Sequence, residues 1–283
     1  MPIDQLDPAA VASHDLVARN AADWLGAVAR RRSRRVFDRV PVDATALEDV
    51  AGLCEVWRPY PDCRVVLVTS PSVDVFTGII GGYGKVVGAP HVLVFVGDER
   101  SEFADQHLGY CGEAVILEAT RLGLANCWIG GFFSAKRVAK VVDLRPGERV
   151  FAVSPLGYAP VEPSASERTM AGFAGAHKRK CVAELAPSLD DSWPAWAVSA
   201  VETARLAPSA VNRQPWRFRM DLGGLVIAKD SRFETPKVTK RLDIGIAMLH
   251  AELAAIAHGV DGAWTDLTGA NVARFDPSDT VVP

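Results

Sequence analysis

The 283-residue chain lacks a long apolar run: the longest, about Val92 to Val96, falls far short of the roughly 20 residues a helix needs to cross a bilayer. The N-terminal MPIDQLDPAAVASHD carries acids and no apolar signal-peptide core, so the expectation is a cytoplasmic protein without a membrane partner. An excess of one charge is lacking as well. The formal net charge of −3 gives no general attraction to nucleic acid or anionic lipid, so any anion site must be local. The five cysteines (Cys54, Cys63, Cys111, Cys127, Cys181) form no CxxC pair and have no histidine at ligand spacing, which reads as buried free thiols and no metal site. GIIGGYG (78–84) is glycine-rich but matches neither GxGxxG nor a phosphate-loop pattern.

What is present is a composition able to fold: 49% hydrophobic and 23% charged residues suffice for one large core or two halves. Apolar spacing predicts helices at about 15–31 and 45–56, the second capped by Asp43 or Thr45. Two β-branched runs, Cys63–Ser70 and His91–Gly97, are bounded by turn dipeptides and predict buried strands. A helix follows from Gln106 to Gly123, then strands at 126–129 and 148–158. Residues 159–192 shift to Pro, Ser, Glu and Lys with weak periodicity, which predicts a linker or wrapping arm. Beyond it come a helix (194–206), strands (216–221 and 224–228) and a helix (241–259).

The chain also repeats itself. GYCGEAVILEATRLGLANCW (109–128) aligns with GIAMLHAELAAIAHGVDGAW (245–264) at an offset of 136, matching Gly109/Gly245, Leu117/Leu253, Ala119/Ala255, Gly123/Gly259 and Trp128/Trp264. Upstream, the same nine-residue step separates Cys54 from Cys63 and Ala207 from Trp216. Hence LAPSAVNRQPW in the second copy has a counterpart, CEVWRPYPDC, in the first. The two tryptophans read as core aromatics, and His107, His250 and His258 as structural or surface residues.

One segment is chemically pointed. AVARRRSRRVF (27–37) sets Arg30, Arg31, Arg32, Arg34 and Arg35 around Ser33. Guanidiniums converging with a hydroxyl suit a phosphate dianion, because each presents paired planar donors. A solvated basic helix end that complements the macrodipole fits the same residues.

The blocks ARRRSRRVFDRVPVDATALEDV, GKVVGAPHVLVFVGD, EATRLGLANCWIGG, PGERVFAVSPLGY, HKRK and APSAVNRQPWRF together resemble the signature segments of the FMN-dependent nitroreductase family. The resemblance is greatest to its fused, Thermotoga-type members, in which one chain carries two nitroreductase-like halves. It implies an α+β nitroreductase-like fold whose two similar halves form an intrachain pseudo-dimer: 1–158, the arm 159–192, and a shorter half 193–283. It also implies FMN as cofactor, its phosphate held by Arg31, Arg32, Ser33 and Arg35, with Lys178 and Lys180 as second phosphate contacts. The same resemblance sets Pro208, Ser209 and Asn212 along the flavin, with Gln214 and Trp216 shaping their loop. Ile129, Gly130 and Gly131 approach the ring by their backbone; Gly82 lies near its pyrimidine edge, where many members have Asn, and Lys85 stabilises charge there. No protein catalytic acid or base is implied.

Because RRSxR survives only in the first copy and the Asn-containing loop only in the second, each half keeps what the other has lost. The expectation is one cofactor site per chain, with Trp57, Arg58 and Tyr60 filling the degenerate one, and a monomer, or a dimer through another surface. The activity implied is NAD(P)H-dependent reduction of a small nitroaromatic, quinone or similar acceptor by a ping-pong hydride mechanism. The alternative is a non-catalytic FMN-binding or storage protein, or a flavin-free pseudoenzyme.

Overall fold

The computed structural model describes residues 8–76, 85–173, 175, 178–232, 234 and 238–278. Helix α1 (Pro8–Arg30) leads to α2 (Ala44–Val56), whose N-cap is Asp43: its carboxylate accepts from the amide of Ala46 at 3.1 Å. The first half continues as β1 (Cys63–Thr69), β2 (His91–Asp98), α3 (Ala104–Arg121), β3 (Ala125–Asn126), α4 (Ala135–Val138) and β4 (Glu148–Gly157). Two short helices, α5 (Ala165–Phe173) and α6 (Val182–Leu185), lie in the arm. The second half is α7 (Ala195–Ala204), β5 (Trp216–Asp221), β6 (Gly224–Lys229), α8 (Lys240–Ala257), β7 (Gly262–Asp266) and β8 (Asn271–Pro277).

The repeat is visible in the topology. Both sheets are four-stranded and antiparallel, with spatial order β1-β2-β4-β3 in one and β5-β6-β8-β7 in the other. Each also breaks register once in the corresponding inner pair, at Phe95/Val96 and at Ile227/Ala228. The copies differ in their connections: β5 and β6 are joined by a two-residue turn, whereas residues 70–90 separate β1 from β2.

Helices α3 and α8 cross at Gly109 and Gly245, the pair that the sequence offset aligns. A Cβ on Gly109 would overlap the carbonyl of Leu242, and one on Gly245 would overlap the carbonyl of Gln106, so only glycine permits this approach. Buried polar groups along the crossing are reciprocally paired. Glu113 of α3 accepts from Trp128 Nε1 in its own half (2.7 Å) and lies 3.0 Å from His250 Nε2 of the other. Glu252 of α8 accepts from Trp264 Nε1 in its own half (2.8 Å) and from the Tyr110 hydroxyl of the other (2.8 Å). Such pairing offsets the cost of burying these polar groups.

The helices share one core with the inner faces of both sheets. Strand β2 is buried on both faces: Leu93 and Phe95 join that core, while Val92, Val94 and Val96 join a second cluster with Phe37, Val86, Ile129 and Val153. This explains its uninterrupted apolar sequence. Four cysteines are buried as expected, but Cys181, at the N-terminal boundary of α6, is exposed because that short helix lies in the surface arm.

Candidate functional site

Helix α1 ends where Arg31 makes its last helical bond, to the carbonyl of Ala27 (2.8 Å). The chain then runs extended between two neighbours. Arg34 N donates to Asn126 O (2.9 Å) on one side, while Val87 N donates to Arg35 O (2.8 Å) and Phe37 N to Val87 O (2.9 Å) on the other. Three predicted segments are thereby laid side by side: Arg31–Arg35, the stretch leaving Lys85, and the stretch from Asn126 to Ile129, Gly130 and Gly131. Ile129 is fixed by a reciprocal 2.9 Å pair with Val153. Lys85 is exposed; Gly82 lies outside the described residues.

The second half contributes residues 208–214. Val211, Asn212 and Gln214 adopt positive φ (47°, 55° and 46°), three of the five non-glycine residues that do so among those described. Such a conformation is unfavourable, most of all for β-branched Val211, and persists only where surroundings enforce it. Here Ser209 Oγ accepts from Gln214 N (3.0 Å), and buried Asp243 of α8 accepts from Ala210 N (3.0 Å) and Arg213 Nε (2.6 Å). Burial lifts the Asp243 carboxyl to about 6 even against the pull of Arg213. Arg213 also donates to Val238 O (3.1 Å), and a Cβ on Gly130 would stand 2.5 Å from Val238 Cγ2, so the Gly130 segment and this loop meet the same residue.

The arm clasps the two halves together. Glu167 of α5 accepts from Arg35 N (2.7 Å), Val36 N (3.2 Å) and Arg34 Nε (3.2 Å), while its other oxygen accepts from Ser164 N (2.8 Å) in a capping box. Burial would raise this carboxyl, but those donors hold it at about 2. At the far end, Asn212 Nδ2 donates to Gly175 O (2.6 Å) and Lys178 O (2.8 Å), and Gln214 Oε1 accepts from Lys180 N (2.9 Å). The Asn212 and Gln214 side chains therefore secure the arm.

The basic residues separate into two sets. The Lys180 ammonium is engaged by other groups, 3.2 Å from Gln214 O, 3.4 Å from Glu184 and 4.0 Å from Asp230, and Lys178 is exposed. Arg179, between them, donates to Ala207 O (2.8 Å) and Asn212 Oδ1 (3.3 Å). Burial and then the guanidiniums of Arg31, Arg32 and Arg205 push it down to about 10. Arg31 is only 7% exposed and reaches Ser33 Oγ at 3.4 Å; Arg35 Nε is buried without a partner. Among the described residues, no carboxylate pairs with Arg31, Arg32, Arg35, Arg179 or Arg205, whereas Arg34, Arg64 and Arg213 each have one. Arg179, Arg205, Glu167 and Asp243 were not picked out in the sequence. The 136-residue offset, which sets Asp243 opposite His107, was a signal for the last. A pocket of 360 Å³ lined by Asp74, Phe76, Val86 and Pro90 lies on the outer face of the first sheet and includes none of these groups.

A family profile described as "Putative TM nitroreductase" matches residues 23–255. The chain belongs to this nitroreductase family. The crystal structure of a "putative nitroreductase" from Thermotoga maritima MSB8 shares its fold, at 20% identity and TM-score 0.56, over 89% of this chain and 92% of its own. An "FMN-dependent nitroreductase" from Clostridium difficile R20291 (20% identity, TM-score 0.41) covers 50% of this chain and 90% of its own. A "nitroreductase with bound FMN" from Bacteroides fragilis NCTC 9343 (19% identity, TM-score 0.38) covers 48% and 88%. No curated protein matches the sequence significantly.

In this chain the first-half counterpart of the Asn212 loop has a different role. Trp57 is 2% exposed and its Nε1 donates to Cys111 O (3.0 Å), with its ring stacked on Tyr110. Tyr60 stacks on His107 with centroids 3.7 Å apart. His107 Nδ1 faces Asp62 (2.8 Å) and Nε2 faces Asp266 (2.9 Å), so both ring nitrogens carry protons. Burial would lower this imidazole, but the hydrogen bonds to Asp266 and Asp62 outweigh it and hold it at about 9.

Proposed function

We propose that this nitroreductase binds one FMN where its two halves meet and acts as an FMN-dependent oxidoreductase, oxidising NAD(P)H and reducing a small electron-poor acceptor such as a nitroaromatic or quinone. One observation carries the reading: guanidiniums without a carboxylate partner adjoin a strained loop from the opposite half. Arginine forks match phosphate oxygens, and the buried, unpartnered Arg35 Nε is the kind of orphan donor that an anion satisfies. The absence of a dinucleotide glycine fingerprint favours FMN over FAD.

In this reading residues 1–158 and 193–283 form the pseudo-dimer, and 159–192 is the arm across it. Arg31, Arg32, Ser33 and Arg35 hold the phosphate, joined by Arg179 in place of Lys180, whose ammonium is engaged elsewhere. The bound flavin supplies hydride acceptance and donation. Lys85 provides positive charge for its reduced form, while the backbone of Ile129–Gly131 and the loop from Pro208 through Ser209 to Asn212 border the ring. With both halves in one chain, no second subunit is needed.

A second reading, flavin storage without turnover, is favoured by the arm, which occupies the Asn212 amide and binds the Arg34–Val36 segment at once. Acid release followed by chromatography should yield one FMN per chain; FAD, or two FMN, rejects the site. Anaerobic NAD(P)H should bleach the bound flavin. Colour that does not bleach selects storage.

A further inference from the structure

Arg205 follows directly on α7 in the second half, on the far side of the molecule's repeat from Arg31. We propose that Arg205 joins Arg31, Arg32 and Arg179 in one site for a phosphate dianion, so that the second half supplies a phosphate ligand as well as the ring-side loop. The bearer of that phosphate, FMN, rests on the cofactor reading above; the anion site rests on the arrangement of the arginines.

Arg179 ties the arrangement together. Its Nη1 donates to the carbonyl of Ala207, two residues beyond Arg205, and to Asn212, while the guanidiniums of Arg31 and Arg32 stand near enough to disfavour its charge. Three segments remote in sequence thus bring like charges together. Arg205 has the signature of an unfilled contact: its Nε is buried and donates to nothing. Capping the exposed carbonyls of α7 would explain an arginine at this position, but a capping guanidinium spends its donors on those carbonyls. Neighbouring like charges destabilise a fold unless a counter-charge is bound, and a dianion satisfies the orphan donor and the repulsion together.

The test uses the full-length chain stripped of flavin, with Arg205→Gln and Arg205→Lys as variants and inorganic phosphate, FMN and riboflavin as probes. Arg205→Gln should raise the melting temperature of the flavin-free protein, because one member of the repelling set is removed. It should also abolish protection by inorganic phosphate, weaken FMN binding tenfold or more, and leave riboflavin affinity unchanged; Arg205→Lys should recover part of the FMN loss. A structural role gives the opposite pattern: a lower melting temperature with phosphate protection and the preference for FMN over riboflavin intact. That result overturns the proposal. If phosphate protects the wild type and not Arg205→Gln, yet neither flavin binds, the anion site stands and the cofactor reading falls. Should neither phosphate nor FMN protect the wild type, the anion site itself is rejected.

Discussion

Asp243 on α8 stands where His107 stands on α3, and the two hold their loops with opposite charge: Asp243 accepts from Ala210 N and Arg213, whereas His107 donates to Asp62. The two loop anchors are thus inverted copies of one another. Neither loop would be satisfied on the other's helix, which keeps the strained loop and the aromatic one at their own ends.

Replacing Asp243 by Asn tests the first anchor. The side chain keeps its size, but the Arg213 guanidinium loses its charged partner in a buried setting, a change that costs about 3 kcal/mol. Urea unfolding should show that loss, and flavin affinity should fall as residues 211–214 relax from positive φ. An unchanged unfolding midpoint would mean that Arg213 holds the loop by its bonds to Val238 and Thr239 alone.

The second anchor predicts a pH dependence. His107 is raised from an unfolded value near 6.5 to about 9, so its stabilisation is fully present below pH 6.5 and disappears as pH rises to 9. The amount is on the order of 3 kcal/mol at most, taking 1.36 kcal/mol per unit. Melting temperature should fall over this window in the wild type and remain flatter in His107→Gln. Tyr60→Ala, which removes the stacked ring, should lower stability and leave flavin affinity nearly intact.

At the helix crossing, Gly245→Ala forces a methyl group against the carbonyl of Gln106, where backbone cannot yield as a side chain does. Overpacking of this kind costs about 3 kcal/mol or more. Gly123→Ala is the control, since nothing lies within 4 Å of a Cβ there; its positive φ of 80° leaves only backbone strain, about 1 kcal/mol. Denaturant titration of the two variants should differ accordingly.

Glu167→Gln should release the arm from Arg34–Val36 without disturbing either sheet. Trypsin at neutral pH should then cut near Arg168, Lys178 and Arg179 much faster than in the wild type, and added FMN should slow the cutting again. Equal cleavage rates in the two proteins would show that the bonds from Asn212 and Gln214 suffice to hold the arm.

Elements with their own apolar pattern were legible in the sequence: α2, α3, α7, α8 and the first six strands fall within a few residues of expectation. Strands β7 and β8 were not, because no residue of Gly262–Asp266 is fully buried and the apolar residues of Asn271–Pro277 are interrupted by Arg274 and Asp276, so neither shows a hydrophobic period. Helix α5 begins with a capping box, but its polar face to solvent hid it in the arm. Motifs brought the arginine segment, Lys85 and Ile129–Gly131 to the same place, yet could not say which cation of HKRK faces Arg31. The partners decide it: Arg179 bonds Ala207 O and Asn212, while the Lys180 ammonium is taken by Gln214 O and Glu184. The use of Asn212 to hold the arm is a matter of tertiary contact and leaves no trace in local pattern.

The two-residue turn between β5 and β6 leaves the second sheet without the cover that Val73, Val75, Phe76 and Val86 give the first. Across its outer face run Arg219, Val226 and Arg274; Val226 is buried, but the two arginines make surface ion pairs to Asp221 and Asp276, where the first sheet packs Val66, Val94 and Val153 in a second apolar cluster. Local opening free energy follows buried apolar contact, so hydrogen exchange should be slowest in β2, α3 and α8 and faster in β5 and β7. The sheet that follows the Asn212 loop is therefore expected to open more readily than the sheet beside Arg31–Arg35. Entry and exit of a ligand held between the halves would then be timed by opening of the second sheet against the firmer first one.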